Sequence, residues 1–399
     1  MKEVWISPKT IIGSVATGDY YYPRTEIIDE IWEELEKGNY ILIAAPRRVG
    51  KTSIMQDIEE NPRANYITKF ENIQAVKSEE ELYKTIYYLI LSCLSKGKKT
   101  GKLLLEYLKS KRVSEIDFFK GRIKIEDKSI NYLEEINSIF RDLDDNSETI
   151  VLLLDELPEV LHRLNKAGKK EEAIAILKQL RTWRQSGFKK LQFVFAGSIG
   201  IHYVVKSIVG RTSDINDLKQ IICNSLSNVE ALDYIAWATQ IATVQYDDNL
   251  KRHLANKIKY YYTPYFINLM LEEIDKNARK QTSNVITENE IDNAFNIVVR
   301  NNDHFADWKK RLADYMPKQD FNFVNEILIH IAHNDSISIQ TIYNIAGIHN
   351  KTADYMEFIN DLVQDGYIVE KEINGNKTYL YISPFLKAFW KNNNPIYNG

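Results

Sequence analysis

The sequence has little of what staples a chain together or leaves it loose. It holds 2 cysteines, Cys93 and Cys223, far apart in 399 residues. Two such thiols exclude a disulfide framework, a CxxC redox motif and a cysteine-based zinc site, and they suit reduced, packed side chains in a cytoplasmic protein. With 16 glycines and 9 prolines, the chain has too few of either for long linkers or collagen-like sequence. Long hydrophobic runs are missing. The longest purely aliphatic one is Ile150–Leu154, against the ~20 residues needed to span a bilayer. The opening MKEVWISPKT lacks the apolar centre of a signal peptide, so no membrane is expected. Nor does one charge dominate: 52 basic and 55 acidic side chains leave a formal net charge of −3. That balance gives no global pull toward nucleic acid or an anionic membrane. His330 and His333 are three apart, but no carboxylate or cysteine cluster joins them, so no metal is expected there.

What is present is a globular mix, 44% hydrophobic and 27% charged residues, in a length that suits two or three domains of about 150 residues each. Glu26–Lys37 predicts an amphipathic helix, with Ile27, Ile28, Ile31, Trp32 and Leu35 at helical spacing and Gly38 as its stop. Tyr40–Ala44 is a short apolar run before a turn-like segment, which predicts a buried parallel strand. A helix should follow from Lys51 to about Glu60. Asn65–Phe70, Ile150–Leu154 and Leu191–Ala196 are further strand candidates, with helical segments between them. Strands alternating with helices predict right-handed crossovers and a parallel sheet, hence an α/β fold.

After about Leu226 apolar residues recur at helical spacing through Val298, and strands disappear. The expected division is therefore an α/β core over 1–225, a helical unit over 226–300, a connecting helix over 301–319 and a third unit over 320–399. The third unit predicts helices at Val324–His333, Ile339–Ala346 and Thr352–Gln364. Strands near Ile368–Ile373 and Thr378–Ile382 should then flank an Asn374-Gly375 turn, the strongest short hairpin signal. Three helices and a β-wing make the winged-helix pattern.

The segment that carries chemistry is Ala45-Pro46-Arg47-Arg48-Val49-Gly50-Lys51-Thr52-Ser53, between a strand and a helix. That is the context of a Walker A phosphate loop. Backbone N–H groups of such a loop, and of the helix that follows, surround phosphate anions. Gly50 lets the backbone come close. Lys51 is placed to reach the β- and γ-phosphates of ATP, and the Thr52 hydroxyl to bind Mg²⁺. Ala45 stands where the pattern G-x-x-x-x-G-K-S/T has its first glycine, which the loop tolerates if φ there is negative. About 100 residues downstream, Val151–Glu156 is an apolar strand ending in Asp155-Glu156, a Walker B box. Asp155 would hold the Mg²⁺ shell, and Glu156 would orient and polarise the attacking water. A third strand ends at Gly197-Ser198, where Ser198 would hydrogen-bond the γ-phosphate or the water. Arg47 and Arg48 can touch phosphate or a neighbouring subunit, or simply be solvated. Tyr20–Tyr22 and Tyr260–Tyr262 can stack on adenine, although with 24 tyrosines in the chain most belong to the core or surface.

On these motifs the chain resembles the archaeal-type ATPase family of STAND P-loop NTPases, relatives of AAA+ proteins in the ASCE division. The likeness spans roughly residues 15–390 and includes Gly18-Asp-Tyr-Tyr-Tyr-Pro-Arg24, APRRVGKTS, LLLDELPEVL, FAGSIG, Gly210-Arg211-Thr212 and Tyr262-Thr263-Pro264-Tyr265-Phe266. The resemblance implies a parallel-sheet ATPase core, a helical lid and a C-terminal winged helix. It places Tyr22 and Arg24 near the adenine and makes Arg211 a charge-stabilising arginine. It matches Pro264 to the last residue of a GxP motif that contacts nucleotide from the lid, with Tyr262 in place of the glycine.

Partners are read from charge. Residues 94–124 carry 10 basic and 3 acidic side chains, and 163–190 carry 9 and 2. Such stretches, with Lys178, Arg181 and Arg184 near Trp183, can follow a nucleic-acid backbone or be solvated helix faces. Residues 320–399 carry 5 basic and 9 acidic side chains, which disfavours DNA docking by the winged helix. The expectation is an ATP/ADP- and Mg²⁺-dependent molecular switch that couples nucleotide state to a protein partner or to homo-oligomerisation. Two alternatives stay open: a DNA-handling AAA+-like ATPase of the initiator or transposition-regulator type, and a nucleotide-binding scaffold for a nuclease or toxin effector.

Overall fold

The computed structural model describes residues 4–45, 48–97, 100–102, 106–107, 117–119, 122–124, 130–143, 146–197, 200–373 and 375–397. The chain divides into two compact units: Pro23–Ala44 with Lys51–Cys223, and Met1–Tyr22 with Ala45–Gly50 and Asn224–Gly399.

The first unit is built on β1 (Ile41–Ala44), β2 (Tyr66–Asn72), β3 (Asp117–Phe119), β4 (Arg122–Lys124), β5 (Thr149–Asp155), β6 (Leu191–Ala196) and β7 (Lys219–Ile222). β3 and β4 form a small antiparallel pair. The other five make one parallel sheet in the order β2-β5-β6-β1-β7. Helices over Thr25–Glu36, Lys51–Glu60, Glu79–Lys96, Tyr132–Asp142, Leu157–Lys166, Lys170–Gln185 and Ile201–Val209 alternate with these strands. β5 and β6 read as unbroken apolar runs because side chains on both faces of an inner parallel strand are buried. Ile150 to Leu154 are fully buried, and Ile150, Leu152 and Leu154 share one core with Phe193, Phe195, Trp183 and Leu177. The anticipated strands fall within two residues of the observed ones. β7 was not anticipated. It is an edge strand in which Lys219, Gln220 and Ile222 are exposed, so it lacks the apolar pattern that marks an inner strand.

In the second unit, helices Asn228–Thr239, Asp248–Lys257, Pro264–Gln281, Glu288–Arg300 and Ala306–Tyr315 come first. Then follow the helix Lys318–Asn334, β8 (Ile337–Ser338), the helices Ile339–Ile348 and Tyr355–Gln364, β9 (Ile368–Ile373), β10 (Asn376–Tyr381) and the helix Pro384–Asn393. β8, β10 and β9 form an antiparallel sheet in that order. The helix expected from Val324 begins earlier, at Lys318, directly after Pro317, whose ring separates it from the preceding helix. Asn374 of the expected turn lies outside the described residues; Gly375 has φ +75°, as a tight hairpin needs.

The last helix, which sequence spacing did not mark, carries Phe385 into an aromatic cluster. Its ring lies 4.9 Å from Phe266, 4.8 Å from Phe295 and 5.7 Å from Phe305. His330 and His333 also have structural roles: His333 Nε2 lies 2.7 Å from the Asn394 carbonyl oxygen, and its ring stacks on Tyr397.

The N-terminal residues belong to this second unit as an extended strap. Trp5 Nε1 donates to Asp275 Oδ1 at 2.9 Å and Ser7 Oγ donates to Asp275 Oδ2 at 2.8 Å. The backbone exchanges bonds with Thr243, Ala238 and Asn268. No helix among the described residues is long and apolar enough to cross a membrane.

Candidate active site

The residues between β1 and the helix Lys51–Glu60, expected to form the phosphate loop, take two kinds of backbone. Gly50 has φ +99°, a conformation in which any side chain would be strained. Arg48 also has a positive φ, 66°. Ala45 lies outside the left-handed region, which meets the condition for alanine in place of the first glycine. Val49 is buried at 1% exposure. Pro46 and Arg47 lie outside the described residues. The Arg48 guanidinium sits 4.3 Å over the ring of Tyr265, a cation–π contact. Pro264 opens the helix Pro264–Gln281 beside that ring, and the Thr263 hydroxyl caps it by accepting from Phe266 N at 3.3 Å. Tyr262 pairs with Leu226 in an isolated bridge and accepts a hydrogen bond from Asn228 at 3.0 Å. Tyr22 packs edge-on against Tyr234 and Trp237, at 5.2 and 5.5 Å.

In the first unit the sheet order places β6 between β1, which leads into the loop, and β5, which ends at Asp155. The helix Lys51–Glu60 starts at Lys51, a lysine only 8% exposed. Thr52 Oγ1 donates to Asp155 Oδ2 at 2.7 Å, and Glu156 N donates to Asp155 Oδ1 at 2.9 Å. Ser53 is half-buried. Burial, then the neighbouring Glu156, pushes the Asp155 carboxyl above the usual carboxylate range, against the lowering influence of Thr52 and Lys51. A buried carboxylate beside a hydroxyl is a hard-oxygen pair of the kind Mg²⁺ takes, and a cation there would favour the ionised form that burial disfavours.

Glu156 has φ 66° and ψ 28°, the left-handed region, at the N-cap of the helix Leu157–Lys166. A non-glycine residue there stores about 1–2 kcal/mol of strain, a feature that clusters at functional sites. Arg24 is buried, and with Lys51 it exerts a positive field on Cys223, whose thiol burial nevertheless raises.

Arg211 is exposed, just after Gly210 ends the helix Ile201–Val209 in a left-handed turn. Ser198 lies outside the described residues, although β6 leads to it.

The basic stretch 163–190 is less free than its charge suggests. The Arg184 guanidinium forks onto Asp217, at 2.8 and 2.9 Å, and donates to the Asp214 carbonyl at 2.7 Å. Arg181 pairs with Asp214 at 3.3 Å, Lys169 pairs with Glu172 at 3.1 Å, and Arg163 donates to the Val76 carbonyl. Trp183 is fully buried and donates to Asn137 at 2.8 Å. Arg184 is therefore internal bracing and, buried, cannot reach a nucleic-acid phosphate, whereas Arg181 keeps 31% of its side chain exposed. Most of the stretch 94–124 lies outside the described residues.

Sequence reasoning did not give Tyr265 its contact with Arg48, or Pro158 its contact with Gly197. Both depend on which loops meet in space, and no spacing rule encodes that.

No family model and no curated protein sequence matches the chain. Solved structures do. A Walker-type ATPase of Pyrococcus abyssi superposes with TM-score 0.59 over 94% of this chain and 98% of its own, at 15% identity. The ORC2 protein of Aeropyrum pernix, in ADPNP–ADP complexes, superposes with TM-score 0.53 over 97% of this chain and 95% of its own, at 11% identity. The chain shares with both an α/β fold, here a five-stranded parallel sheet flanked by helices. At such identities the likeness speaks for the fold, and function has to come from the site.

Proposed function

We propose that the chain is an ATP-binding and ATP-hydrolysing switch of the STAND/AAA+-like kind, acting in the cytoplasm, which couples nucleotide state to partner binding or oligomerisation. The observation that carries this reading is the Thr52–Asp155 hydrogen bond of 2.7 Å. It joins the two sequence motifs across 103 residues, next to a left-handed Glu156. The ORC2 neighbour is described as bound to ADPNP and ADP, and the same ligand class suits a loop of this geometry.

In the proposed reaction, Glu156 orients a water and takes its proton as the oxygen attacks the γ-phosphorus in line. The bond to the β–γ bridging oxygen breaks, and ADP and phosphate leave. Lys51 offsets charge on the β- and γ-phosphates. Thr52 and Asp155 would hold Mg²⁺, which when bound supplies further positive charge to the phosphates. Ser198 would contact the γ-phosphate, Arg211 would stabilise charge, and Tyr22, Arg24 and Pro264 would border the nucleotide. The four-part division into core, lid, connecting helix and winged helix belongs to the same reading, with the strap docked on the lid.

Purified protein should hydrolyse ATP slowly in the presence of Mg²⁺. Lys51→Ala should lose nucleotide binding, while Glu156→Gln should bind ATP with turnover reduced by about 100-fold or more. Full turnover by Glu156→Gln would sink the assignment. The mass and co-purifying proteins of Glu156→Gln held with ATP identify the partner or oligomer. Stimulation of hydrolysis by duplex DNA would instead favour a DNA-handling role. Nucleotide-dependent complex formation without turnover would favour a scaffold.

A further inference from the structure

Gly197, at the end of β6, has no room for a side chain. A Cβ built there would lie 2.5 Å from Pro158 Cδ and 2.6 Å from its Cγ, well inside contact distance. The ring of Pro158 occupies that space, and Pro158 is buried in the first turn of the helix Leu157–Lys166. Two residues before it stands Glu156, whose φ of 66° needs support from its surroundings. On one side that support is the Asp155 carboxylate, which accepts the Glu156 N–H at 2.9 Å. On the other it is a proline with fixed φ, seated on a glycine in the neighbouring strand.

We propose that Pro158 and Gly197 form a positioning pair: their contact fixes the left-handed turn that aims Glu156, and ties that turn to the strand end carrying Ser198. This inference rests on the hydrolytic reading above. Neither residue touches substrate. Both act through the direction of the Glu156 carboxylate, so nucleotide affinity should survive when the contact is disturbed. In Gly197→Ala the new methyl displaces the ring and with it the turn. In Pro158→Ala the turn loses its lock. In the double variant the added methyl fills space that the ring has left.

The test is steady-state hydrolysis with ATP affinity and melting temperature measured in parallel. Gly197→Ala should lower kcat by about 30-fold and Pro158→Ala by about 5-fold, each with KM within about 3-fold of the wild type. The double variant should return to the level of Pro158→Ala or better, a non-additivity that a general loss of stability would not give. Two losses that multiply in the double variant overturn the proposal, as does a Gly197→Ala kcat within about 2-fold of the wild type. Should Gly197→Ala fail to fold, Pro158→Ala decides alone: a kcat loss at constant KM supports the pair, and an unchanged kcat overturns it. A wild type without any turnover overturns the hydrolytic reading and this inference together; an active wild type with indifferent variants overturns only this one.

Discussion

At the residue scale, Asp155 ties folding to acidity. Burial, with Glu156 adding to it, raises its carboxyl above the ordinary range. The folded protein then holds the proton more readily than the unfolded chain. Stability is therefore lost as pH rises from the unfolded value, about 3.9, through the folded one. Asp155→Asn removes the buried charge. The melting temperature of the nucleotide-free variant should exceed that of the wild type near neutral pH, and the gain should shrink as pH falls toward about 4. A melting temperature that does not rise near neutral pH refutes this account. That Thr52 and Asp155 should come together could be anticipated because each lies in a short local string, one opening a helix and one ending a strand. The left-handed φ of Glu156 could not, because glutamate shows no such preference and only its neighbours impose it.

At the element scale, the helix Lys170–Gln185 is held by charge as much as by apolar packing. Burial alone would raise Asp217, but the Arg184 fork more than offsets this, and the carboxyl ends below its ordinary range. That stabilisation is present above the unfolded Asp value and is lost as pH falls through the folded one, a window below about pH 4. Arg184→Ala should destabilise the first unit by about 3 kcal/mol in urea unfolding, since it strands a partly buried carboxylate. Arg184→Lys should recover little of that, because an ammonium cannot reproduce the fork. Neutralising Arg181 and Arg184 should leave any affinity for DNA unchanged, and a clear loss would restore a nucleic-acid role to this helix. Charge counting along the sequence could not separate braced arginines from free ones, because Asp214 and Asp217 lie about 30 residues away in the chain. Inner strands were legible for the opposite reason. Burial on both faces writes itself into sequence as an unbroken apolar run, whereas the edge strand β7 keeps polar residues and hides.

At the scale of the whole molecule, alternation of strands and helices, then helices, then an Asn-Gly signal between two apolar runs was enough to foresee a parallel sheet followed by helices and an antiparallel hairpin. It did not show that the first residues leave the core's company for the later helices. Asp275 is 7% exposed and takes its two side-chain donors from Trp5 and Ser7. Removing residues 1–12 should cost about 2 kcal/mol of local stability. Hydrogen exchange in the helix Pro264–Gln281 reports it, and protection as in the full chain would show that the strap contributes nothing.

The strap also bears on biosynthesis. Trp5 is translated 270 residues before the aspartate that receives it. At about 5–20 residues per second, the ribosome takes roughly 15–50 s to deliver that aspartate. Through that interval the indole has no native seat, while the parallel sheet, complete by Ile222, can already form behind it. The strap, by contrast, gains its seat only once Asp275 has been made, so a chain interrupted before that point would carry a finished sheet and an orphaned indole open to chaperones and proteases.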